Sequence, residues 1–400
     1  MYRKTYIEID LDRLENNVKN IVKTFTGYKY YIGVIKGNAY GHGEYISKYI
    51  TENGINYLAV SSLEEAISTR KYVNNDIGIL CLEPISLDYI DEIIKYNISI
   101  CVSNFEYFNK LKEIKTENKI KFHLKLNTGM NRLGISSKKE VIKIYNGSQN
   151  KDNIELEGIF THLATSGLYD AQYKKQIDNF KQLVSDIDLT KIKMVHIGRS
   201  STLEFFPKLD FCNGVRVGIL MYGIESTYPN NKGLKNKLRM LKINHFRKTN
   251  NLPIPYSESK LKVKQSLTLK SEVMEIQKVK AKDHVGYGTR AVINSNGFVA
   301  IMPVGYADGL QIKYNNWNVL INGKKYPIVG SINMGMITAL VDDTVKIGDM
   351  ATIIDSNTSY KKYAMDQQTT PYVLMTNLNK TIPRRYLKNG QIIKTIGDDN

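Results

Sequence analysis

Lys36 stands where a buried strand is predicted to end and a glycine-punctuated loop to begin. An apolar run at 31–35 precedes it, and the segment 34–43 reads Val-Ile-Lys-Gly-Asn-Ala-Tyr-Gly-His-Gly. Burying a bare ammonium is costly unless its pKa falls or it forms an imine with an aldehyde. By position alone, the commoner case is a lysine that extends to solvent along its apolar stem. Residue type and position leave both possibilities open.

Other residues capable of chemistry also follow predicted strands: Lys125 to Arg132, His162, Arg199-Ser200 and Arg216. The strands are short apolar runs at 30–35, 57–61, 77–82, 98–103, 121–127, 156–161, 193–197 and 214–218. Amphipathic stretches at 63–72, 87–96, 106–117, 138–145 and 171–187 predict helices between them. Parallel strands need crossover helices, so the alternation predicts a (β/α)8 TIM-like barrel with its chemistry at one rim.

The pattern changes after about residue 224. A strand at 8–12 and a helix at 14–25 lead into the barrel, whereas 228–262 is polar, with turn signals at 230–233, 250–253 and 254–257. Beyond it, β patterns occur at 267–276, 298–304, 318–321, 325–329, 338–341 and 351–354. We therefore predict an α/β fold in three parts: a barrel domain (1–235), a basic linker or insertion (236–262) and a mostly antiparallel β domain (263–400).

The composition is that of an ordinary globular protein of two or three domains, with 400 residues, 42% hydrophobic and 24% charged. No 18-residue apolar run occurs and the first ten residues run into a strand, so we expect neither a transmembrane helix nor a secretory leader. Cys81, Cys101 and Cys212 lie far apart without metal-ligand spacing. We expect no metal site and a cytoplasmic location.

The formal charge of +17 raises the possibility of a nucleic-acid partner. Part of this excess is local, because residues 231–262 contain nine Lys or Arg and one acid, Glu258. No nucleic-acid motif accompanies that segment, so we interpret it as a solvated basic insertion. We expect neither a nucleic-acid nor a membrane partner.

The Lys36 segment and seven further motifs resemble those of the alanine racemase family, over most of the chain apart from about 231–262. The further motifs lie at 125–134 (Lys-Leu-Asn-Thr-Gly-Met-Asn-Arg-Leu-Gly), 160–165, 196–200, 215–223, 285–289, 303–309 and 371–386. The resemblance implies a pyridoxal phosphate (PLP) enzyme, acting on a small amino acid, that interconverts L- and D-alanine for peptidoglycan precursors.

The family's chemistry needs two bases on opposite faces of the substrate, with PLP as the electron sink. Lys36 resembles the lysine that forms an imine with PLP and then serves as the base on the D face. Tyr287 resembles the L-face base, contributed by the other subunit of a homodimer. Because a tyrosine has a reference pKa near ~10, it needs a nearby cation to act as a phenolate.

The remaining roles are also implied by the resemblance. Arg216 resembles the arginine that faces the PLP pyridine nitrogen, and His162 the group that holds it. Arg132 resembles the arginine near the PLP phenolic oxygen and the substrate, and Lys125 a lysine that is often carbamylated. The implied phosphate cradle comprises Ser200, Gly218, Ile219, Tyr40 and Tyr372, and the partner subunit's substrate-lining residues are Tyr306 and Met334.

Two positions depart from the family pattern. Arg199 stands where the family usually has asparagine, beside the expected phosphate site. Gly335 follows Met334 where the family usually has a Met-Asp pair, so a carboxylate is missing near the substrate pocket.

Three alternatives stay open at this stage. The first, motivated by Gly335, is a racemase of the same fold acting on serine, lysine or ornithine. The second is an ornithine- or diaminopimelate-type decarboxylase, which we expect to lack the Val-Gly-Tyr-Gly motif. The third is not an enzyme: a single-domain PLP homeostasis protein, which should stop near the end of the barrel, or a nucleic-acid-binding protein.

Overall fold

The computed structural model describes residues 4–165, 171–225, 234–251, 261–289, 291–311, 317–355, 360–366 and 369–397. Two bodies of secondary structure follow one another along the chain. The first alternates strands and helices, and the second consists mainly of strands.

Eight parallel strands close into a barrel in sequence order. They are β2 (Tyr30–Val34), β3 (Tyr57–Val60), β4 (Gly78–Cys81), β5 (Ile98–Val102), β6 (Ile120–Lys125), β7 (Ile154–Phe160), β8 (Met194–His196) and β9 (Gly214–Val217). The barrel closes where β2 pairs with β9, with Tyr31 opposite Val215. All eight predicted strands are confirmed, because a parallel strand buried on both faces reads as a short continuous apolar run.

Helices surround the barrel; those at 36–40, 46–51 and 200–205 were not predicted, and the others lie close to the predicted positions. The helices are α1 (Leu11–Thr24), α2 (Lys36–Tyr40), α3 (Ile46–Thr51), α4 (Leu63–Arg70), α5 (Ile90–Lys95), α6 (Phe105–Lys112), α7 (Lys138–Ser148), α8 (Ala171–Leu183) and α9 (Ser200–Phe205). Several begin at a side-chain cap: Ser62 accepts from the Glu65 amide and Asn104 from the Tyr107 amide. Such caps satisfy amides that have no partner within the helix.

The second half is mostly antiparallel, as predicted. Its strands are β10 (Leu267–Glu272), β11 (Glu275–Val279), β12 (His284–Val285), β13 (Ala291–Val292), β14 (Gly297–Met302), β15 (Asn318–Ile321), β16 (Lys324–Pro327), β17 (Ile337–Val341), β18 (Met350–Ile354), β19 (Arg384–Lys388) and β20 (Gln391–Ile396). The single run predicted at 267–276 is two strands, which belong to different sheets. The short helices α11 (Tyr360–Asp366) and α12 (Pro371–Thr376) were not predicted.

The expected lead-in strand forms, as β1 (Thr5–Asp10), but it lies in the sheet of the second half. It pairs antiparallel with β10 and parallel with β19. The seven-stranded sheet therefore has the order β16-β15-β18-β10-β1-β19-β20. The start of the chain thus joins the two halves.

A helix, α10 (Leu234–Thr249), occupies the basic segment, between the turn signals at 230–233 and 250–253. The sequence analysis marked turns on either side of this helix but did not predict the helix itself. Its helical pattern is weak because few side chains are buried, notably Ile243 and Arg247. The Arg247 guanidinium stacks 4.8 Å from the Phe206 ring centroid and donates to the Phe205 carbonyl oxygen. Within the described residues, no helix is both long and apolar enough to cross a bilayer.

The loop that follows Lys36 packs closely against α12. At Gly41, φ is +81° and an added Cβ would lie 2.3 Å from the Met375 carbonyl oxygen. We expect Gly41→Ala to lower the free energy of unfolding by about 2–4 kcal/mol, because it adds a backbone clash to the left-handed penalty. Urea unfolding measures the change.

Gly348→Ala is the matched control. There φ is +94°, but nothing lies within 4 Å of the added Cβ. It should lose only the left-handed penalty, about 1–2 kcal/mol. Equal losses in the two variants would contradict close packing at Gly41.

Candidate active site

A cavity of about 380 Å³ opens at the carboxyl ends of the barrel strands. Most of the predicted site residues line it together: Lys36, Tyr40, Lys125, Arg132, His162, Ser200, Arg216, Gly218 and Tyr372. Ile219 follows Gly218 in the chain and is buried beside it. Tyr372 comes from α12 of the second half, so both halves of the chain contribute to this cavity.

Lys36 is presented by an unusual backbone turn. Gly37 and the three residues after it, 38–40, all have positive φ, between 49° and 64°. A left-handed turn costs non-glycine residues about 1–2 kcal/mol each, so the surroundings must hold it. Glu65 of α4 does so. Its Oε1 accepts from the amides of Gly37 (2.6 Å) and Asn38 (3.3 Å), and its Oε2 from the Ser61 amide. Sequence reasoning missed Glu65.

Arg216 is almost fully buried at the floor of the cavity. Its guanidinium donates to His196 Nδ1 at 2.7 Å and to the carbonyl oxygens of Thr161, His196 and Ile197 at 2.7–3.0 Å. Burial, together with the charge of Arg199, lowers the pKa of Arg216 to about 9. The group is thus a cation at neutral pH, held by neutral acceptors.

His162 is the predicted partner of Arg216, and its Nδ1 lies 3.4 Å from Arg216 Nη2. The shorter bond is made by His196, which was not predicted. Burial and the nearby charges of Arg216 and Arg199 lower the pKa of His162 to about 2, so this imidazole is neutral. The sequence signals for His196 were its position near the end of a predicted strand and its place at the start of the 196–200 motif.

A polar cradle lies at the last two barrel strands. The Gly218 amide donates to Ser200 Oγ at 3.0 Å, and an added Cβ at Gly218 would lie 3.0 Å from the Tyr40 hydroxyl. The Tyr40 ring packs against Tyr372, with centroids 5.7 Å apart. Burial raises the pKa of both tyrosines, so their hydroxyls are available as donors.

The opposite wall carries Lys125 and Arg132. Lys125 Nζ donates to the Leu82 carbonyl oxygen at 3.2 Å and lies 5.4 Å from the Phe160 ring centroid. Burial lowers the pKa of Lys125, and the charge of Arg132 lowers it further. Glu83 also lines the cavity and was not predicted. Five cationic side chains face the cavity together with one carboxylate, so it suits an anionic ligand.

Three predicted residues lie outside this cavity, in the second half. Tyr287 is 76% exposed, Met334 63% and Tyr306 40%. Tyr306 and Met334 are adjacent, since the Tyr306 and Ala307 amides donate to the carbonyls of Asn333 and Met334. A single copy of the chain does not bring them to Lys36.

The structure shows the surroundings of both residues that depart from the family pattern. Arg199 faces the cavity, and its guanidinium donates to the Thr165 carbonyl oxygen. At Gly335 nothing lies within 4 Å of an added Cβ. A carboxylate side chain would therefore fit sterically at Gly335.

Comparison with known proteins agrees with this geometry. Residues 9–226 match the alanine racemase N-terminal domain and residues 266–386 the alanine racemase C-terminal domain. An alanine racemase of Clostridium kluyveri is 32% identical over 98% of this chain and 96% of its own length. The solved alanine racemase of Clostridium difficile superposes with a TM-score of 0.83 at 27% identity, covering 99% of each chain.

A structure from Bacillus anthracis, an alanine racemase with bound L-Ala-P, has a TM-score of 0.82 at 27% identity and covers 99% of this chain and 98% of its own. These matches define a barrel-type amino-acid racemase, an isomerase. The chain belongs to the alanine racemase family. A histidine racemase of Leuconostoc mesenteroides, with a TM-score of 0.83 at 21% identity, shares the fold.

Buried histidines near the site predict a loss of stability in mild acid. Burial lowers the pKa of His42 to about 4 and holds that of His196 well below its usual value. With His162 they stay neutral in the folded state, whereas the unfolded chain binds protons on them below about pH 6.5. Stability should therefore fall as the pH drops from 7 to 5, approaching about 1.4 kcal/mol per pH unit per histidine.

Urea unfolding at pH 7, 6 and 5 measures this slope. His42→Gln should reduce it by about one proton's contribution. His245→Gln, on the exposed side of α10, should leave it unchanged. An identical slope in His42→Gln and the parent protein would contradict the assignment.

Proposed function

We propose that this protein is a PLP-dependent alanine racemase that interconverts L- and D-alanine with Lys36 and Tyr287 as its two bases, supplying D-alanine for peptidoglycan. The observation that carries the proposal is the position of Lys36, aimed by a left-handed turn into a cationic cavity built from both halves of the chain. The full-length similarity to alanine racemases supports alanine as the substrate.

The residues of the cavity fit PLP. The Gly218 backbone and the hydroxyls of Ser200, Tyr40 and Tyr372 would bind the phosphate. The absence of a Cβ at Gly218 leaves room for the phosphate to approach. Arg216, at the floor of the cavity, would offer a cationic donor to the pyridine nitrogen. When bound, PLP supplies an electron sink that acidifies the substrate α-carbon.

Lys36 Nζ removes or returns the α-proton from one face of the substrate, and the Tyr287 hydroxyl does so from the other. Tyr287 is 76% exposed on its own chain, so it meets Lys36 only across an interface with a second copy. We therefore propose a homodimer with shared sites, in which Tyr306 and Met334 reach the substrate from the same surface as Tyr287.

Arg132 would hold the phenolic oxygen of PLP and the substrate carboxylate, and His162 would help to hold Arg216. Lys125 is a candidate for carbamylation because burial lowers its pKa, which increases the fraction of neutral amine that reacts with carbon dioxide. The product would carry a negative charge beside Arg132 and offset the excess of cations in the cavity.

One observation favours the alternative of a racemase with the same fold and a different amino-acid substrate. The open space at Gly335 leaves the substrate side without the carboxylate usual in the family. The fold also occurs in a histidine racemase, so fold alone does not select the amino acid. A decarboxylase and a single-domain homeostasis protein are disfavoured by the match to both racemase domains.

Exchange of the α-proton in D₂O, followed by NMR on PLP-loaded protein, tests the proposal. We expect alanine to exchange and racemise at least about tenfold faster than serine, lysine or ornithine. Lys36→Ala should abolish exchange. Preference for another amino acid would reject alanine as substrate, and release of carbon dioxide would reject racemisation.

Tyr287→Phe should slow racemisation by about 10²–10⁴-fold, the usual contribution of a catalytic base, without loss of PLP binding. Mixing Lys36→Ala with Tyr287→Phe copies tests the shared site. Each mixed dimer would contain one intact Lys36–Tyr287 pair, so about a quarter of wild-type activity should return. No recovery, with subunit exchange shown by mass, would place both bases on one chain.

Arg199 adds a cation at the phosphate end of the cavity. We expect Arg199→Asn to raise the PLP dissociation constant about tenfold, because a charge-assisted contact is lost. Absorbance titration of the apoprotein measures it, with Lys191→Asn, at an exposed lysine, as the control. An unchanged constant would show that the Arg199 charge does not reach the phosphate.

A further inference from the structure

A line of polar side chains runs through the core of the barrel beneath Arg216. His196 on β8, His123 on β6 and Glu157 on β7 are all buried. His196 Nε2 lies 2.9 Å from His123 Nδ1, and His123 Nε2 lies 3.2 Å from Glu157 Oε2. With the 2.7 Å bond from Arg216 to His196 Nδ1, three hydrogen bonds connect the cavity floor to the carboxylate.

The hydrogen bonds of this line can point in only one direction. Arginine has donors but no acceptor, so His196 Nδ1 must accept. A neutral His196 then carries its proton on Nε2 and donates to His123 Nδ1. His123 in turn carries its proton on Nε2 and donates to Glu157. Both imidazoles are therefore neutral, and each has one allowed tautomer.

Glu157 is suited to end the line as an acceptor. Its Oε2 lies 2.7 Å from the Tyr57 hydroxyl and 2.6 Å from the Ser99 hydroxyl, and its Oε1 accepts from Lys193 Nζ at 2.7 Å. Burial alone would raise the pKa of this carboxyl, but the bonds from His123, Lys193 and Ser99 hold it below its usual value. The carboxylate stays ionised and cannot donate to His123.

We propose that Glu157 is a positioning residue for Arg216: by accepting from His123 it stabilises, from the far end of the line, the His123 and His196 tautomers in which His196 Nδ1 offers Arg216 an acceptor. The proposal rests on the proposed function, because it gives Arg216 the pyridine nitrogen as its partner. None of these three core residues lines the cavity. His196 contacts its wall through the Arg216 guanidinium and through the Phe160 ring, which stacks on His196 with centroids 4.8 Å apart.

The acceptor matters because Arg216 is buried without a carboxylate among its hydrogen-bond partners. A His196 protonated on Nδ1 would place a donor 2.7 Å from the guanidinium. That clash would move the group away from the cavity floor. The aligned bonds also polarise one another, with the positive end at Arg216 and the negative end at Glu157.

The two tautomers can be observed directly. Solid-state ¹⁵N NMR of holoenzyme labelled only at histidine distinguishes Nδ1 from Nε2 protonation, and the chain has only six histidines to assign. We expect His123 and His196 to be neutral and Nε2-protonated at pH 7. An imidazolium or an Nδ1-protonated ring at either position would overturn the proposal.

Two size-matched variants test the acceptor. Glu157→Gln keeps a carbonyl that can accept from His123, whereas Glu157→Met keeps the volume without a comparable acceptor. We expect Gln to retain the wild-type tautomers and to change PLP affinity and kcat/KM less than threefold. We expect Met to lower both about tenfold and to produce a second His196 tautomer.

Glu155→Gln and Glu155→Met, on the same strand but partly exposed, should be neutral in every measurement. Equal losses for Glu157→Gln and Glu157→Met would point to charge or packing and overturn the proposal, as would no loss in either. Failure of the proposed function would appear separately, as absence of PLP binding or racemisation in the parent protein with the His tautomers still as expected.

Discussion

Arg216, a guanidinium buried at the carboxyl ends of the barrel strands, affects the hydrogen bonding and the charge of the groups around it. Arg216 takes backbone oxygens at the ends of neighbouring strands and one imidazole nitrogen as its acceptors. Burial lowers the pKa of His162 and keeps it neutral, and the charges of Arg216 and Arg199 lower that pKa further. The same charges make the cavity favourable for an anion and unfavourable for further cations. The neutral state of His162 and the preference of the cavity for an anionic ligand therefore both depend in part on one desolvated cation.

The second half of the chain contributes to the site, because its residues hold the loop that follows Lys36. The Tyr386 hydroxyl donates to the His42 carbonyl oxygen at 2.9 Å, and Arg384 donates to the Gly41 carbonyl oxygen at 3.3 Å. The loop after Lys36 is thus held by β19 from one side and by Glu65 of the barrel from the other. Since β19 pairs with β1, the first and last parts of the chain both support the turn that aims Lys36.

Sequence patterns predicted the parts of the structure that depend on local periodicity. The barrel strands and the cavity residues at their ends were found because apolar runs end at residues with chemical function, whereas Tyr40 and Tyr372 were indicated only by the resemblance to the alanine racemase family. Glu65 could not be found, since nothing in the sequence links it to a loop 28 residues earlier. Glu157 left a partial signal, a carboxylate within an apolar strand. The α10 helix was missed because its buried side is narrow, and the pairing of β1 with β19 depends on contacts across the whole chain.

In the proposed dimer, the two departures from the family pattern would change the charge of the site in the same direction. Arginine at 199 adds a positive charge, and glycine at 335 omits a negative one. A zwitterionic amino acid with a neutral side chain gains little from this field, whereas the phosphate of PLP gains directly. A substrate with a cationic side chain would enter against it. In the proposed dimer, this charge would disfavour lysine and ornithine more than serine among the alternative substrates.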